Sequence, residues 1–503
     1  MTDNKIILPV ITHLLVAVVQ IFFWRWINTQ RILSILGNLV ILLMGVALFI
    51  KTWTSGILTM QTGSWEAPFG ITMVADVFSS LMVLLTGFAG LAVSIFSAAG
   101  ISESRMKYGY FPILHFLLMG LNGAFLTGDI FNLYVWFEVI IIASFVLMTL
   151  GGKKPQMEGA INYVVMNLLA SVIFLTAIAI LYGLTGSLNM ADLSLKMELV
   201  ENRGLVHVAA LMFFVGFGIK SAVFPLYFWL PSSYHTPPSA IAAIFGGLLT
   251  KVGVYALLRV FTLIFIPSPF ISTVLVVVAV MTLLTGSFGA LIQRDIRKLF
   301  SYLIVCHIGY MIAGMSMYTV VALTGALFYL IHDIIVKTNL FLLGGVIHKI
   351  KGTMNMDSLG GIYSGYPKIS LLMAVVLFSI IGIPPLSGFW PKVYLFEAGF
   401  TTGSYVLILA IIVASFVTLF VIGRVWVEVF WQETPPKEID RQDFFGMMSP
   451  AGKSMLIVPV VLLAAVSLYI GFFAENVIAV SRHIARELMD TSPYIEAVLG
   501  PAE

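Results

Sequence analysis

Stretches of about 20 apolar residues recur from the first ten residues of the chain to about residue 475, each long enough for a helix to cross a roughly 30 Å hydrocarbon core. Fourteen such segments are predicted, at approximately 5–24, 31–51, 72–99, 111–128, 129–151, 159–184, 205–230, 238–263, 270–292, 297–316, 318–348, 369–396, 403–431 and 455–475. Only 10% of the 503 residues are charged and 60% are hydrophobic, against about 25% charged in a soluble domain. The expected fold is therefore an all-α polytopic membrane protein with no soluble domain. The first segment follows MTDNK without a small-residue cleavage site and is expected to be a retained helix.

Against this background five ionisable residues stand out. Lys220, Lys251, Lys337 and Lys392 lie inside apolar segments, and Glu138 interrupts NLYVWFEVIIIASFVLM. Each charge at a bilayer centre costs about 2.5–3.5 kcal/mol, so together they weigh roughly 12–17 kcal/mol against insertion. Groups that costly are expected to be functional. Desolvation penalises the charged form of a carboxylate and of a lysine alike, bringing both nearer to proton exchange. A field of 100 mV on one charge is worth about 2.3 kcal/mol, enough to load and unload such groups. His332 lies five residues before Lys337, with Asp333 between them, and an imidazole suits a relay between lysine sites.

Blander readings accompany each residue. A lysine near a helix end can snorkel to the interface, and Glu138 can serve as a hydrogen-bonded structural group. His115 and His307 fit interhelical hydrogen bonds, His235 a turn between helices, and Asp76 and Asp129 helix caps. The single cysteine, Cys306, excludes an intrachain disulfide and an iron–sulfur cluster built from this chain alone. No nucleotide-binding glycine motif, metal-ligand spacing or nucleophile–base pair is evident, so no cofactor or metal is expected.

Setting the four buried lysines aside, fifteen lysines and arginines, among them Arg105, Arg297, Lys437 and Arg441, fall on one set of alternate loops and six on the other. The first set is expected to be cytoplasmic, with both termini outside. The seventh segment (LMFFVGFGIKSAVFPLYFWLP) and the twelfth (LFSIIGIPPLSGFWPKVYLFE) carry internal prolines, Pro225 in one and Pro384, Pro385 and Pro391 in the other. Both are expected to break near mid-membrane, where freed carbonyls require a buried or wet surrounding. The breaks are five segments apart, as two inverted five-helix repeats would place them; proline kinks in unrelated helices are the alternative. The expected divisions are 1–110, 111–263 and 270–431 for the N-terminal helices and the two repeats, and 432–503 for a loop, the last helix and the tail.

LPSSYHTPPSAIAAIFGGLLTKVGVYALLRVF, preceded by TGDIFNLYVWFEVIIIASFVLM and followed by GIPPLSGFWPKVYLFE, resembles the antiporter-like subunits of respiratory complex I and of Mrp antiporters, most of all the MrpD/MnhD family of Mrp cation/proton antiporters. The resemblance, over roughly residues 70 to 430, implies a proton relay. Glu138 and Lys220 would form the charge pair of a first half-channel, Lys251, His332 and Lys337 the central relay, and Lys392 the terminal site. The loop SSYHTPPSA departs from the His-x-x-Ala-Pro-Thr pattern of complex I relatives, which favours the Mrp branch and leaves His235 without a transferred role. The implied protein is a non-enzymatic subunit of a hetero-oligomeric Na⁺/H⁺ antiporter in the cell membrane, with other subunits including A and C as partners. A proton-translocating subunit of a complex I-like or hydrogenase assembly, a structural scaffold and a stand-alone solute carrier are the competing readings.

Overall fold

The computed structural model describes residues 3–435 and 442–500; Lys437 and Arg441, used above for orientation, lie outside the described residues. The apolar helices of the described residues run in chain order: α1 (Asn4–Phe22), α2 (Ile27–Ser55), α3 (Val77–Gly100), α4 (Tyr110–Leu126), α5 (Ile130–Thr149), α6 (Lys154–Thr185), α7 (Arg203–Ser221), α8 (Ser239–Leu263), α9 (Pro269–Leu291), α10 (Ile296–Met317), α11 (Val320–Lys351), α12 (Pro367–Ile381), α13 (Tyr405–Trp431) and α14 (Pro450–Phe472). Among the described residues twelve are long and apolar enough to cross a membrane; α4 and α12 are shorter.

The chain is not purely helical. The apolar stretch from residue 72 begins as a strand, β2 (Thr72–Ala75), paired antiparallel with β1 (Leu58–Gln61). Helix begins only at Val77, because Asp76 accepts from the Ser79 N–H while the Ser79 hydroxyl answers the Asp76 backbone, a reciprocal cap. The seventh and twelfth segments also differ from uniform spans. Helix α7 stops at Ser221 with Ala222 in the left-handed region (φ 60°), and helical structure resumes at Trp229–Ser233. Helix α12 stops at Ile381 with Gly382 at φ 83°, and the next helix is Phe389–Thr401. Gly382 meets a real steric demand there: a Cβ would sit 2.8 Å from the Gly388 carbonyl oxygen.

Burial separates centre from rim. In α8 the whole apolar window is buried, and α10 and α11 are nearly so, whereas α1 and α2 each bury a third of theirs. Lys251, His307, His332, Asp333 and Lys337 therefore sit on the innermost helices. Helix α11 packs against α8, α10, α14 and the helix Phe389–Thr401, which makes it the hub. Close approach of α8 to α11 depends on Gly247, where a Cβ would lie 2.1 Å from Thr338 Oγ1. Gly247→Val is expected to push the two helices apart at a cost of about 1–3 kcal/mol, as overpacking does, and to lower complex yield. A variant that assembles and transports normally would show that this contact is slack.

Candidate functional site

The centre of the site is built by a local departure from α-helical geometry. At Phe245–Leu249 helix α8 widens into a π turn, a feature that frees a carbonyl and recurs at functional positions. One turn on, Lys251 turns back and its Nζ donates to the Gly246 carbonyl at 2.6 Å. The same ammonium lies 2.6 Å from Asp333 Oδ2 on α11, and both side chains are fully buried. The other carboxylate oxygen, Oδ1, is 2.5 Å from His307 Nδ1 on α10. One aspartate thus ties three central helices together, with a lysine on one oxygen and an imidazole on the other.

From this centre the polar groups continue along α11. The His307 and His332 rings lie 6.4 Å apart, with Tyr329 packed edge-on to both. His332 Nδ1 meets Ser387 Oγ at 2.8 Å, in the non-helical stretch after α12, and Ser387 joins Ser467 of α14 at 3.1 Å. Lys337, one turn beyond Asp333, is wholly buried, and its Nζ has no hydrogen-bond partner among the described residues. Lys392 projects from the helix Phe389–Thr401, donates to the Ile381 carbonyl at 2.8 Å and sits over the Tyr310 ring at 5.1 Å. The carbonyl it takes belongs to the last residue of α12, one of the acceptors a helix end leaves unsatisfied.

At the other end, Lys220 stands where α5, α6 and α7 meet. Helices α5 and α7 both pack on α6, and Lys220 Nζ donates to Ser171 Oγ of α6 at 3.4 Å while lying 4.6 Å above the Phe137 ring. Among the described residues no ion pair joins Lys220 to Glu138. Glu138 is half-buried, with one carboxylate oxygen buried and unbonded. Lys220 reaches α5 at the Phe137 ring, one residue from Glu138, while its hydrogen bond goes to the serine of α6. Between Lys220 and α8 is a small cavity of about 10 Å³, lined by Tyr163, Asn167, Trp229, Tyr234 and Leu249, enough for one water-sized sphere.

His307, expected to make an interhelical hydrogen bond, and Asp333, for which the sequence predicts no role, stand at the centre of this cluster. Asp333 was legible as the residue four before Lys337, one helical turn away, but nothing in the sequence set it against Lys251. His307 had no sequence signal beyond its polarity. Others stay structural: His235, in the turn after Trp229–Ser233, bonds the Pro231 carbonyl at 2.7 Å, and burial holds its imidazole below the usual value. Asp129 caps α5 by accepting from the Asn132 N–H. His115 bonds His13 of α1 at 3.0 Å and Ser34 of α2 at 3.1 Å.

Residues 127–418, more than half of the chain, match the family model described as "NADH:quinone oxidoreductase/Mrp antiporter, TM". The D subunit of the Na(+)/H(+) antiporter of Alkalihalophilus pseudofirmus is 41% identical over 498 residues, 99% of each chain. The chain belongs to the MrpD/MnhD family of Mrp-type antiporters. A second member, the D subunit of the Na(+)/H(+) antiporter of Bacillus subtilis, is 38% identical over 99% of each chain. Among solved structures, a chain of the Mrp complex from Dietzia sp. DQ12-45-1b superposes with a TM-score of 0.90 at 28% identity, covering 99% of both. A chain of respiratory complex I from Thermus thermophilus shares the fold, with a TM-score of 0.76 at 22% identity over 97% of this chain and 99% of that one.

Proposed function

We propose that this chain is the proton-conducting subunit of a hetero-oligomeric Mrp-type Na⁺/H⁺ antiporter, exchanging monovalent cations for protons and supporting pH and sodium homeostasis. The observation that carries the conduction reading is the fully buried Lys251–Asp333–His307 contact at the crossing of α8, α10 and α11. Buried ionisable groups inside a membrane mark ion pathways, and here they continue rather than stop. Glu138 and Lys220 begin the relay; Lys251, His332 and Lys337 carry it; Lys392 ends it. A water in the cavity beside Lys220 would meet the Tyr234 hydroxyl, which is otherwise unbonded, and would join the first lysine to the α8 segment.

The finer architecture follows the same reading. Fourteen spans, with α4–α8 (111–263) and α9–α13 (270–431) as inverted repeats and the seventh and twelfth helices broken around Lys220 and Lys392, would set two half-channels on either side of α11. Residues 1–110 and 432–503 would flank them. Both termini would face outward from the cell membrane, and subunits A and C would be among the partners. The high identity to sodium/proton antiporter subunits over the full chain favours antiport over a redox-driven pump.

The test is Na⁺-dependent ΔpH dissipation in vesicles from an antiporter-deficient host expressing the whole gene cluster, with Glu138→Ala and Lys220→Ala compared at matched assembly. Both variants are expected to lose exchange at least tenfold, about 1.4 kcal/mol or more in the rate-limiting barrier. Normal exchange in both would make these charges structural.

A further inference from the structure

A second group of ionisable side chains lies away from the relay, where the chain's last helices cover the ends of α3 and α8. Arg259, near the end of α8, pairs with Asp76 at the cap of α3, and both are buried. The guanidinium is ringed by Phe78, Tyr255 and Tyr494, 5.3 to 5.7 Å from each ring centre. Asp76 is already engaged on both oxygens, by Arg259 on one and the Ser79 N–H on the other. Into this closed pair the helix Ala474–Met489 brings a second carboxylate, Glu487, whose Oε2 is buried without a hydrogen-bond partner. Its other oxygen, Oε1, lies 3.4 Å from Nε2 of His483, a half-exposed side chain tilted against Trp53 of α2 with ring centres 5.0 Å apart.

Charge counting decides what such a site holds. Two carboxylates face one guanidinium, and the guanidinium is committed to Asp76. The charged groups facing Glu487 are Asp76 from α3 and Arg259 from α8, with the Val77 backbone N–H of α3 also directed at its carboxylate; on its own helix, His483 and Arg486 stand on the solvent side. Helix α11, which packs on the same helix, carries no charged residue before His332. Among the described residues no free cation is left beside Glu487, and with a second carboxylate at Asp76 and partial burial the carboxyl is better accommodated with a proton than as a second anion.

We infer that Glu487, reached through His483, is an external proton-binding site separate from the Glu/Lys/His relay, and that its proton holds the helix Ala474–Met489 on the ends of α3 and α8. The external assignment rests on the orientation proposed above. Burial first, and Asp76 second, push the Glu487 pKa from the usual 4.5 up to about 7, with Arg259 pulling the other way. An acid whose pKa is raised on docking binds its proton more tightly when docked. Docking is therefore favoured below pH 7 and is weakened as pH rises through 7. Between pH 6 and pH 8.5 the docking equilibrium should fall about tenfold.

The experiment is hydrogen exchange of residues 474–499 in the intact complex in sealed vesicles, corrected for intrinsic chemical exchange, with pH varied on one side at a time. For wild type the opening equilibrium is expected to rise about tenfold from external pH 6 to 8.5, with no response to internal pH. Glu487→Gln should stay protected at both values. A flat wild-type profile overturns the proposal without any variant, and a Glu487→Gln complex that keeps the wild-type response assigns it to another group. A response to cytoplasmic pH alone overturns the external assignment and, with it, the orientation, while antiport itself is judged by the separate vesicle assay.

Discussion

Replacing Asp333 by asparagine is expected to abolish Na⁺-driven proton exchange and to weaken the assembled subunit by about 3–5 kcal/mol, the penalty of stripping one partner from a buried ion pair. The substitution leaves Lys251 inside α8 with only the Gly246 carbonyl, and it removes the anion that holds His307 on α10. The second half of the test separates stability from conduction. In Lys251→Met with Asp333→Asn no charge is left unpaired, so assembly and thermal stability of the purified complex should return to near wild type. Exchange should remain absent, because the lysine and the carboxylate at the centre of the proposed path are both gone. Full exchange in the double variant would reduce the pair to a packing device.

Lys337 predicts the opposite pairing of effects. Its amine is wholly buried with no hydrogen-bond partner among the described residues, and an unsatisfied buried polar group costs about 1–3 kcal/mol. Lys337→Met keeps the length and flexibility of the side chain and removes that cost. The variant complex should unfold at a higher temperature than wild type, by the equivalent of about 1–3 kcal/mol, while exchange falls at least tenfold. A gain in stability at the expense of function is what a site under selection for transport predicts. If Lys337→Met is instead destabilised, the amine has a structural partner; if it exchanges normally, proton flow bypasses this position.

The membrane fold and the buried ionisable groups could be read from residues in order. Apolar runs of about 20 residues leave little choice but helices across lipid, and a lysine within such a run is conspicuous because so few charges surround it. That is why Lys220, Lys251, Lys337 and Lys392 stand out in the sequence alone, and why the prolines mark the stretches where helical structure lapses after Ser221 and Ile381. Partners are another matter, because hydrogen bonds and ion pairs between helices join residues far apart in the chain. Lys251 and Asp333 are 82 positions apart and meet only because Gly247 and Thr338 let α8 and α11 approach. Asp333 could be placed between His332 and Lys337 but not against Lys251, and the pairing of Glu138 with Lys220 came from the family resemblance; in the folded chain Lys220 bonds Ser171 and lies over Phe137. The pairing of Asp76 with Arg259, and the covering of both by the helix Ala474–Met489, have no local signature at all. What the sequence determined by itself was which groups lie buried, since burial follows from the composition of the segment around each one; which of them touch was decided by helix packing, whose geometry is set by the shapes of all the helices at once.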